Sequence, residues 1–224
     1  MQVEMLFHQE IETPLGSAVL TADTTGLAGF YFSDQRDYPL QLEHPGRQKI
    51  SNPQAGQYEG EILRQCRVFA HDDNPSAVKR HALHAKLNWE RGAIARLPDG
   101  ISPVPDSISR YFRLATQELD AYFRGRLKRF SVPLCFKGTD FQLKIWETLA
   151  NLPAGQLISY GELGGAAGVS PRAYRAVGGA VGRNPLSIIV PCHRVVASNR
   201  QLTGYGGGLA RKVALLEHEG FQVR

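Results

Sequence analysis

Between Gly138 and Arg183 the chain carries helix start and stop signals so closely spaced that only short helices joined by tight turns can form there. GTDFQLKIWETLANLP reads as a capped helix closed by Pro153. Ser159 with Glu162 makes a capping box, each side chain satisfying a first-turn backbone N–H, for a helix from Tyr160 to about Ala167. Gly168 stands where a helix-ending glycine is expected, and Ser170 and Pro171 then start another helix as N-cap and first helical residue. The two helices joined by GVS have the form of a helix-turn-helix, and the second, PRAYRAVGGAVGR, bears Arg172 and Arg175 one turn apart on one side. Such a pair can face DNA. Small helical domains commonly contain helix pairs, so the pattern needs chemistry beside it.

Nearer the start, EIETPLGSAVLTA and LAGFYF flank DTTG and read as two strands around a turn. From about 40 to 100 the chain shows no assignable pattern. LPDGISPVPDS is a proline-rich loop ending in Ser107 as N-cap of a helix. Ile108, Phe112, Ala115, Leu119 and Tyr122 lie on one face of that helix, which ends near Gly125, and belong to the core. FSVPLCF reads as a short strand or extended connector, and a domain boundary falls near Lys137.

Charge divides at the same place. Residues 1–136 hold 16 Lys and Arg against 16 Asp and Glu, whereas 137–224 hold 10 against 5, so the whole net charge of +5 lies in the C-terminal part. A basic domain beside a neutral one suits a polyanionic partner without requiring one. The opening MQVEMLFHQEIETPLG lacks a basic stretch followed by an apolar run, and no segment reaches membrane-spanning length, which points to the cytoplasm. Cys66, Cys135 and Cys192 form an odd, widely spaced set with no disulfide framework and no C-x-x-C clip. Free thiols and no bound metal are expected, with Cys66 and Cys135 as small buried hydrophobes.

After Asn184-Pro185 comes LSIIV, an apolar run bounded by prolines that reads as a buried strand or extended segment and delivers Pro191-Cys192-His193-Arg194-Val195. A cysteine is a useful nucleophile only as the thiolate. A neighbouring base or cation must therefore lower its pKa, and His193, Arg194 and a nearby helix N-terminus could each serve. For an arbitrary Cys-His dipeptide the buried structural cysteine is the default reading.

The residues around it decide otherwise. PCHRV with Asn184 eight positions before Cys192, Gly-Tyr-Gly-Gly-Gly-Leu at 204–209 and LLEHEG at 215–220 resembles the O6-alkylguanine-DNA alkyltransferases. The resemblance runs from about Thr139 to Gly220, through ISYGELGGAAG and RAVGGAVGRNP, and reappears at TPLGSAVLTADTTGLAGFYFSDQR. It implies an α/β plus α fold: an N-terminal α/β domain of ribonuclease-H-like shape over 1–136, and a mostly helical, winged-helix-like DNA-binding domain over 137–224.

The resemblance also implies roles. The partner is double-stranded DNA bearing O6-alkylguanine, with O4-alkylthymine as a further substrate; the damaged base is flipped out of the stack, since O6 is otherwise out of reach. Arg175 enters the duplex in its place, and Arg172 contacts phosphate. Cys192 accepts the alkyl group irreversibly, His193 and Glu219 form the relay that takes the cysteine proton, and Asn184 braces the turn around Cys192. Tyr160 donates to the flipped base. Tyr205 and the glycines Gly206, Gly207 and Gly208 wall the pocket, and the Cys192 and Val195 carbonyls read the guanine amine. Tyr174, just before Arg175, replaces the small residue relatives tend to carry there, so a change of degree in DNA affinity or damage preference is expected. No cofactor or methyl donor is implied, and one copy suffices, so the protein acts as a monomer. The chief alternative is a protein that binds and marks alkylated bases without accepting the group; such relatives lack the acceptor cysteine. A cysteine hydrolase and a helix-turn-helix transcription factor are weaker rivals.

Overall fold

The structure, a computed structural model, describes residues 6–35, 38–39, 68–69 and 105–224. Nearly all of the unassigned segment from about 40 to 100, with Cys66, lies outside the described residues.

Where one strand was expected ahead of the DTTG turn there are two, because Pro14 has no N–H to give a ladder. β1 (Phe7–Thr13) and β2 (Gly16–Ala22) pair antiparallel from Thr13↔Gly16 to Phe7↔Ala22. Thr13 closes the turn: its hydroxyl accepts from the Leu15 N–H at 3.1 Å and donates to the Gly16 carbonyl at 2.7 Å, and Gly16 adopts φ +111°. β3 (Leu27–Phe32) returns antiparallel to β2 after the 23–26 turn, where the Asp23 side chain accepts from the Thr25 N–H at 2.8 Å.

α1 (Asp106–Phe123) lies on this sheet. Ile108, Phe112, Ala115, Leu119 and Tyr122 are all buried and share a core with Ile11, Ala18, Leu20 and Phe30. Each large aliphatic or phenyl side chain among them contributes roughly 1.5–3 kcal/mol through the apolar area it removes from water. The helix starts two residues before the expected position: Pro105 is the N-cap, no side chain caps it, and Ser107 lies inside the first turn. Pro105 has the extended backbone a cap position needs and, at the edge of a helix, loses nothing by lacking an N–H.

The free edge of β3 organises the rest. The Leu27 N–H donates to Pro133 O and Leu27 O accepts from the Cys135 N–H, both at 2.8 Å, so residues 130–136 are the expected extended connector. Farther along, the Phe30 N–H donates to Pro185 O at 2.8 Å, and Phe30 O accepts from the Ser187 N–H at 3.3 Å. The segment leading to Cys192 is therefore tied to the N-terminal sheet. Val177, Leu186 and Leu215 belong to the same continuous core as Phe30 and Leu119, so apolar packing runs across Lys137.

α2 (Asp140–Ala150) carries a capping box between Thr139 and Gln142, and Trp146 donates from Nε1 to Ala180 O at 2.9 Å. β5 (Ile158–Ser159) leads into α3 (Tyr160–Ala166), capped by Ser159 and Glu162 as expected and closed by Gly168 at φ +67°. A 3-10 turn (Pro171–Ala173) precedes α4 (Tyr174–Gly182); Ser170 flanks it without a side-chain cap bond. β6 (Val195–Val196) pairs parallel with β5. α5 (Leu209–His218) then leads to β7 (Gln222–Val223), which pairs antiparallel with β4 (Val68–Phe69). No described helix is long and apolar enough to cross a membrane.

Candidate active site

The run expected as a strand, LSIIV at 186–190, is buried but turned. The Val190 N–H donates to Leu186 O at 2.9 Å, and Ile188 takes φ +69°, a region that β-branched residues avoid at a cost of order 1–3 kcal/mol. Asn184 holds the turn. Its Nδ2 donates to Val190 O at 2.9 Å and Cys192 Sγ at 3.0 Å, and its Oδ1 accepts from the Leu186 N–H at 3.1 Å. Local β-propensity gives way here to a buried amide that satisfies several groups at once. Cys192 follows in a second 3-10 turn (Cys192–Arg194) rather than at a strand end.

Cys192 forms part of the wall of a cavity of about 320 Å³, bounded also by Tyr31 and Gln35 from the N-terminal part, by Val181 and Ser187, and by Gly206. Burial pushes the Cys192 thiol up from its ordinary value, against the opposing pull of Asn184 and the Lys212 ammonium. The expected net lowering is therefore not found: desolvation of a fully buried thiolate outweighs the polar groups around it. The resting sulfur is a thiol, and reaction requires something to take its proton.

His193 is the next residue in the chain. It is wholly buried, with Nε2 2.8 Å from Glu219 Oε1. A carboxylate only accepts, so Nε2 carries the hydrogen and Nδ1, buried and without a partner among the described residues, is left as the basic atom. Burial keeps the imidazole below its ordinary pKa despite the Glu219 charge, so it is neutral near pH 7. Burial also pushes the Glu219 carboxyl up, but His193 and the Arg194 guanidinium outweigh this and hold it well below the usual carboxylate range. Arg194, expected as a candidate to act on the cysteine, pairs instead with Glu219, through Nε to Oε2 at 2.6 Å and Nη2 to Oε1 at 2.8 Å.

The β5–β6 pairing sets Ile158 beside Val195 and so brings Tyr160 to the site. The Tyr160 ring lies over Gly178 of α4, where an added Cβ would stand 3.8 Å from it. Its hydroxyl is 2.7 Å from Thr203 Oγ1. The Val195 carbonyl accepts from Lys212 Nζ at 2.5 Å. Gly207 is closed in by Tyr205 and Phe32, with an added Cβ only 2.8 Å from the Tyr205 ring, and the Tyr205 hydroxyl is buried.

Arg172 and Arg175 are both exposed, at the 3-10 turn and the start of α4. Tyr174 turns away from them. Its ring packs on the glycine face of α3, where a Cβ on Gly164 would come within 2.9 Å of it. Cys135 is half-buried, and its thiol donates to Asp23 at 3.3 Å, so it is not the purely apolar filler expected.

Sequence reasoning missed Lys212, Thr203 and the second role of Tyr122. Lys212 is fully buried among apolar neighbours in LARKVALLEH, and a lysine inside such a run was the available signal. Tyr122 fills the core as expected, but its hydroxyl also donates to Glu219 at 2.9 Å.

Residues 140–221 match the family model described as 6-O-methylguanine DNA methyltransferase, DNA binding domain. The chain is 52% identical over 112 residues to a methylated-DNA–protein-cysteine methyltransferase of Mycobacterium leprae, covering 50% of this chain and 67% of that protein. It is 49% identical over 120 residues to one of Methanosarcina acetivorans, covering 52% of this chain and 76% of that protein. The chain spans 65% of the length of the Mycobacterium bovis relative. Among solved structures it resembles Mycobacterium tuberculosis OGT in complex with DNA, with a TM-score of 0.60 and 30% identity over 95% of this chain and 92% of that one.

Proposed function

Because the chain belongs to the methylated-DNA–protein-cysteine methyltransferase family, we propose that it reverses O6-alkylguanine damage in duplex DNA by moving the alkyl group irreversibly onto Cys192. The observation that carries this reading is the buried Cys192 thiol on a cavity wall, braced by Asn184 at 3.0 Å, with the next residue, His193, paired to Glu219 at the end of α5. His193 takes the thiol proton, directly or through a water, and Glu219 stabilises the imidazolium that forms. The thiolate attacks the alkyl carbon; the S–C bond forms as the C–O6 bond breaks, and the electron pair leaves with the base. Tyr160 donates a hydrogen bond to the departing base and offsets its charge. The product is a thioether, whose sulfur is a poor leaving group, so each molecule acts once.

DNA engagement follows from the exposed start of α4 and the positive C-terminal part. Arg175 fills the place of the flipped base and Arg172 contacts phosphate. Tyr205, Gly206 and Gly207 wall the base pocket, and the Val195 carbonyl reads the guanine amine alongside its bond from Lys212. Tyr174, packed on α3, affects DNA binding through the angle between the two helices rather than by direct contact. O4-alkylthymine is a further substrate. The same reading makes the N-terminal part ribonuclease-H-like and residues 137–224 a winged-helix-like domain, acting as a monomer in the cytoplasm or on the nucleoid.

The test is the intact mass of the protein before and after incubation with a duplex containing one O6-methylguanine, with an undamaged duplex and Cys192→Ala as controls. One methyl group per protein, mapping to Cys192, is expected. Tight binding to the damaged duplex without modification would replace transfer with damage marking.

A further inference from the structure

The carboxylate behind His193 has a donor from the far side of the molecule. Tyr122, in the last turn of α1, lies 97 residues before Glu219 and outside the matched stretch 140–221, yet its hydroxyl donates to Glu219 Oε1 at 2.9 Å. Oε1 thus receives three donors, from Tyr122, His193 and Arg194, while Oε2 receives one from Arg194. The main chain of Tyr122 is anchored to the same place. His218, next to Glu219, has Nε2 2.7 Å from Tyr122 O, and its ring meets the Tyr122 ring edge-on at 5.0 Å. The ends of α1 and α5 are therefore stapled through one residue by both side chain and main chain.

Core filling alone does not account for this residue. Phenylalanine would occupy nearly the same volume without burying a hydroxyl, which costs free energy unless it is bonded. Here the bond goes to the one carboxylate that orients His193. Arg194 grips both oxygens of Glu219, and the tyrosine hydroxyl adds a donor from the side of α1 at Oε1, the oxygen that also accepts from His193 Nε2.

We propose that Tyr122 is a positioning residue for alkyl transfer, its hydroxyl fixing Glu219 Oε1 and through it the His193 tautomer that leaves Nδ1 free to take the thiol proton. The proposal rests on the alkyl-transfer reading and adds that the N-terminal part of the chain supplies a member of the relay. Without the hydroxyl Glu219 keeps more of its charge and makes His193 more basic, but no longer holds the imidazole in one aim, and it is the lost aim that slows transfer.

The test is single-turnover methyl transfer from an O6-methylguanine duplex by wild type and Tyr122→Phe, measured across pH, with rates expressed per molecule able to react and unfolding midpoints taken in parallel. Tyr122→Phe is expected to react on the order of tenfold more slowly, the consequence of losing one hydrogen bond to a charged group. The acid limb of its rate profile is expected at higher pH, with affinity for the damaged duplex unchanged. A wild-type rate per competent molecule, or a slower rate with the acid limb unmoved, would overturn the proposal, since a structural role alone changes only the competent fraction and the midpoint. Failure of wild type to carry the methyl on Cys192 would instead overturn the alkyl-transfer reading itself.

Discussion

Replacing Asn184 with alanine removes the brace of the cysteine turn. Three short bonds are lost, to Val190 O at 2.9 Å, to Cys192 Sγ at 3.0 Å and from the Leu186 N–H at 3.1 Å, with a longer one to Leu186 O at 3.4 Å, whose acceptor keeps the Val190 N–H. Each is worth about 1 kcal/mol net, and a buried N–H left without a partner costs a further 1–3 kcal/mol or so. Val190 O keeps the Cys192 N–H as a donor at 2.8 Å, so Leu186 N is the group exposed to that penalty. Part of the loss is recovered, because Ile188 no longer has to hold φ +69° and can relax. A loss of roughly 3 kcal/mol in urea unfolding is therefore expected, with a fall of about a hundredfold in the alkyl-transfer rate of the folded fraction as Sγ moves by an ångström or so. Ile188→Gly tests the same account: its effect should be more favourable in wild type, where it relieves strain, than in Asn184→Ala, where the turn has already relaxed. Unfolding costs below about 1 kcal/mol for Asn184→Ala, or additivity of the two substitutions, would refute the idea that Asn184 maintains a strained turn.

Stability should fall on acidification below pH 6.5: the unfolded chain binds a proton on His193 there, which the folded state, with its lowered pKa, does not. It should fall further as Glu219, held below its unfolded 4.5, is finally protonated. Denaturant titrations across pH check this, and a profile unchanged by His193→Gln just below 6.5 would count against it. Lys212, pushed down by burial from 10.5 to about 8, contributes instability that is full below pH 8 and disappears as pH rises to 10.5, worth roughly 3 kcal/mol. Lys212→Met should flatten that rise, and a wild-type profile already flat between the two values would contradict the assignment. Gly164→Ala should cost about 1–3 kcal/mol through overlap with the Tyr174 ring 2.9 Å away, and Tyr174→Ala should relieve it; a double-mutant cycle with no coupling would show that the ring packs elsewhere.

Much of the C-terminal half was legible because its signals are local. The Ser159–Glu162 box, the proline of the 3-10 turn and the glycine after α3 act through hydrogen bonds and sterics a few residues apart, and each lies where expected. The buried face of α1 follows from helical periodicity, though its first turn does not, since proline with extended backbone served as cap in place of serine. The order of residues around Cys192 likewise singled out Asn184, which the structure sets against the Cys192 sulfur, and His193 and Glu219, which it pairs with each other. What sequence could not supply depends on groups distant in the chain. LSIIV has the composition of a strand, and only Asn184 satisfying the interior of the turn makes a left-handed isoleucine affordable. The thiol's raised pKa comes from burial created by the whole fold, and the use of Arg194 on Glu219 rather than on the cysteine depends on where α5 ends. Tyr122 reads as core from its spacing and is core; that its hydroxyl reaches Glu219 is decided by the packing of α1 against the end of α5, a contact that no local pattern encodes.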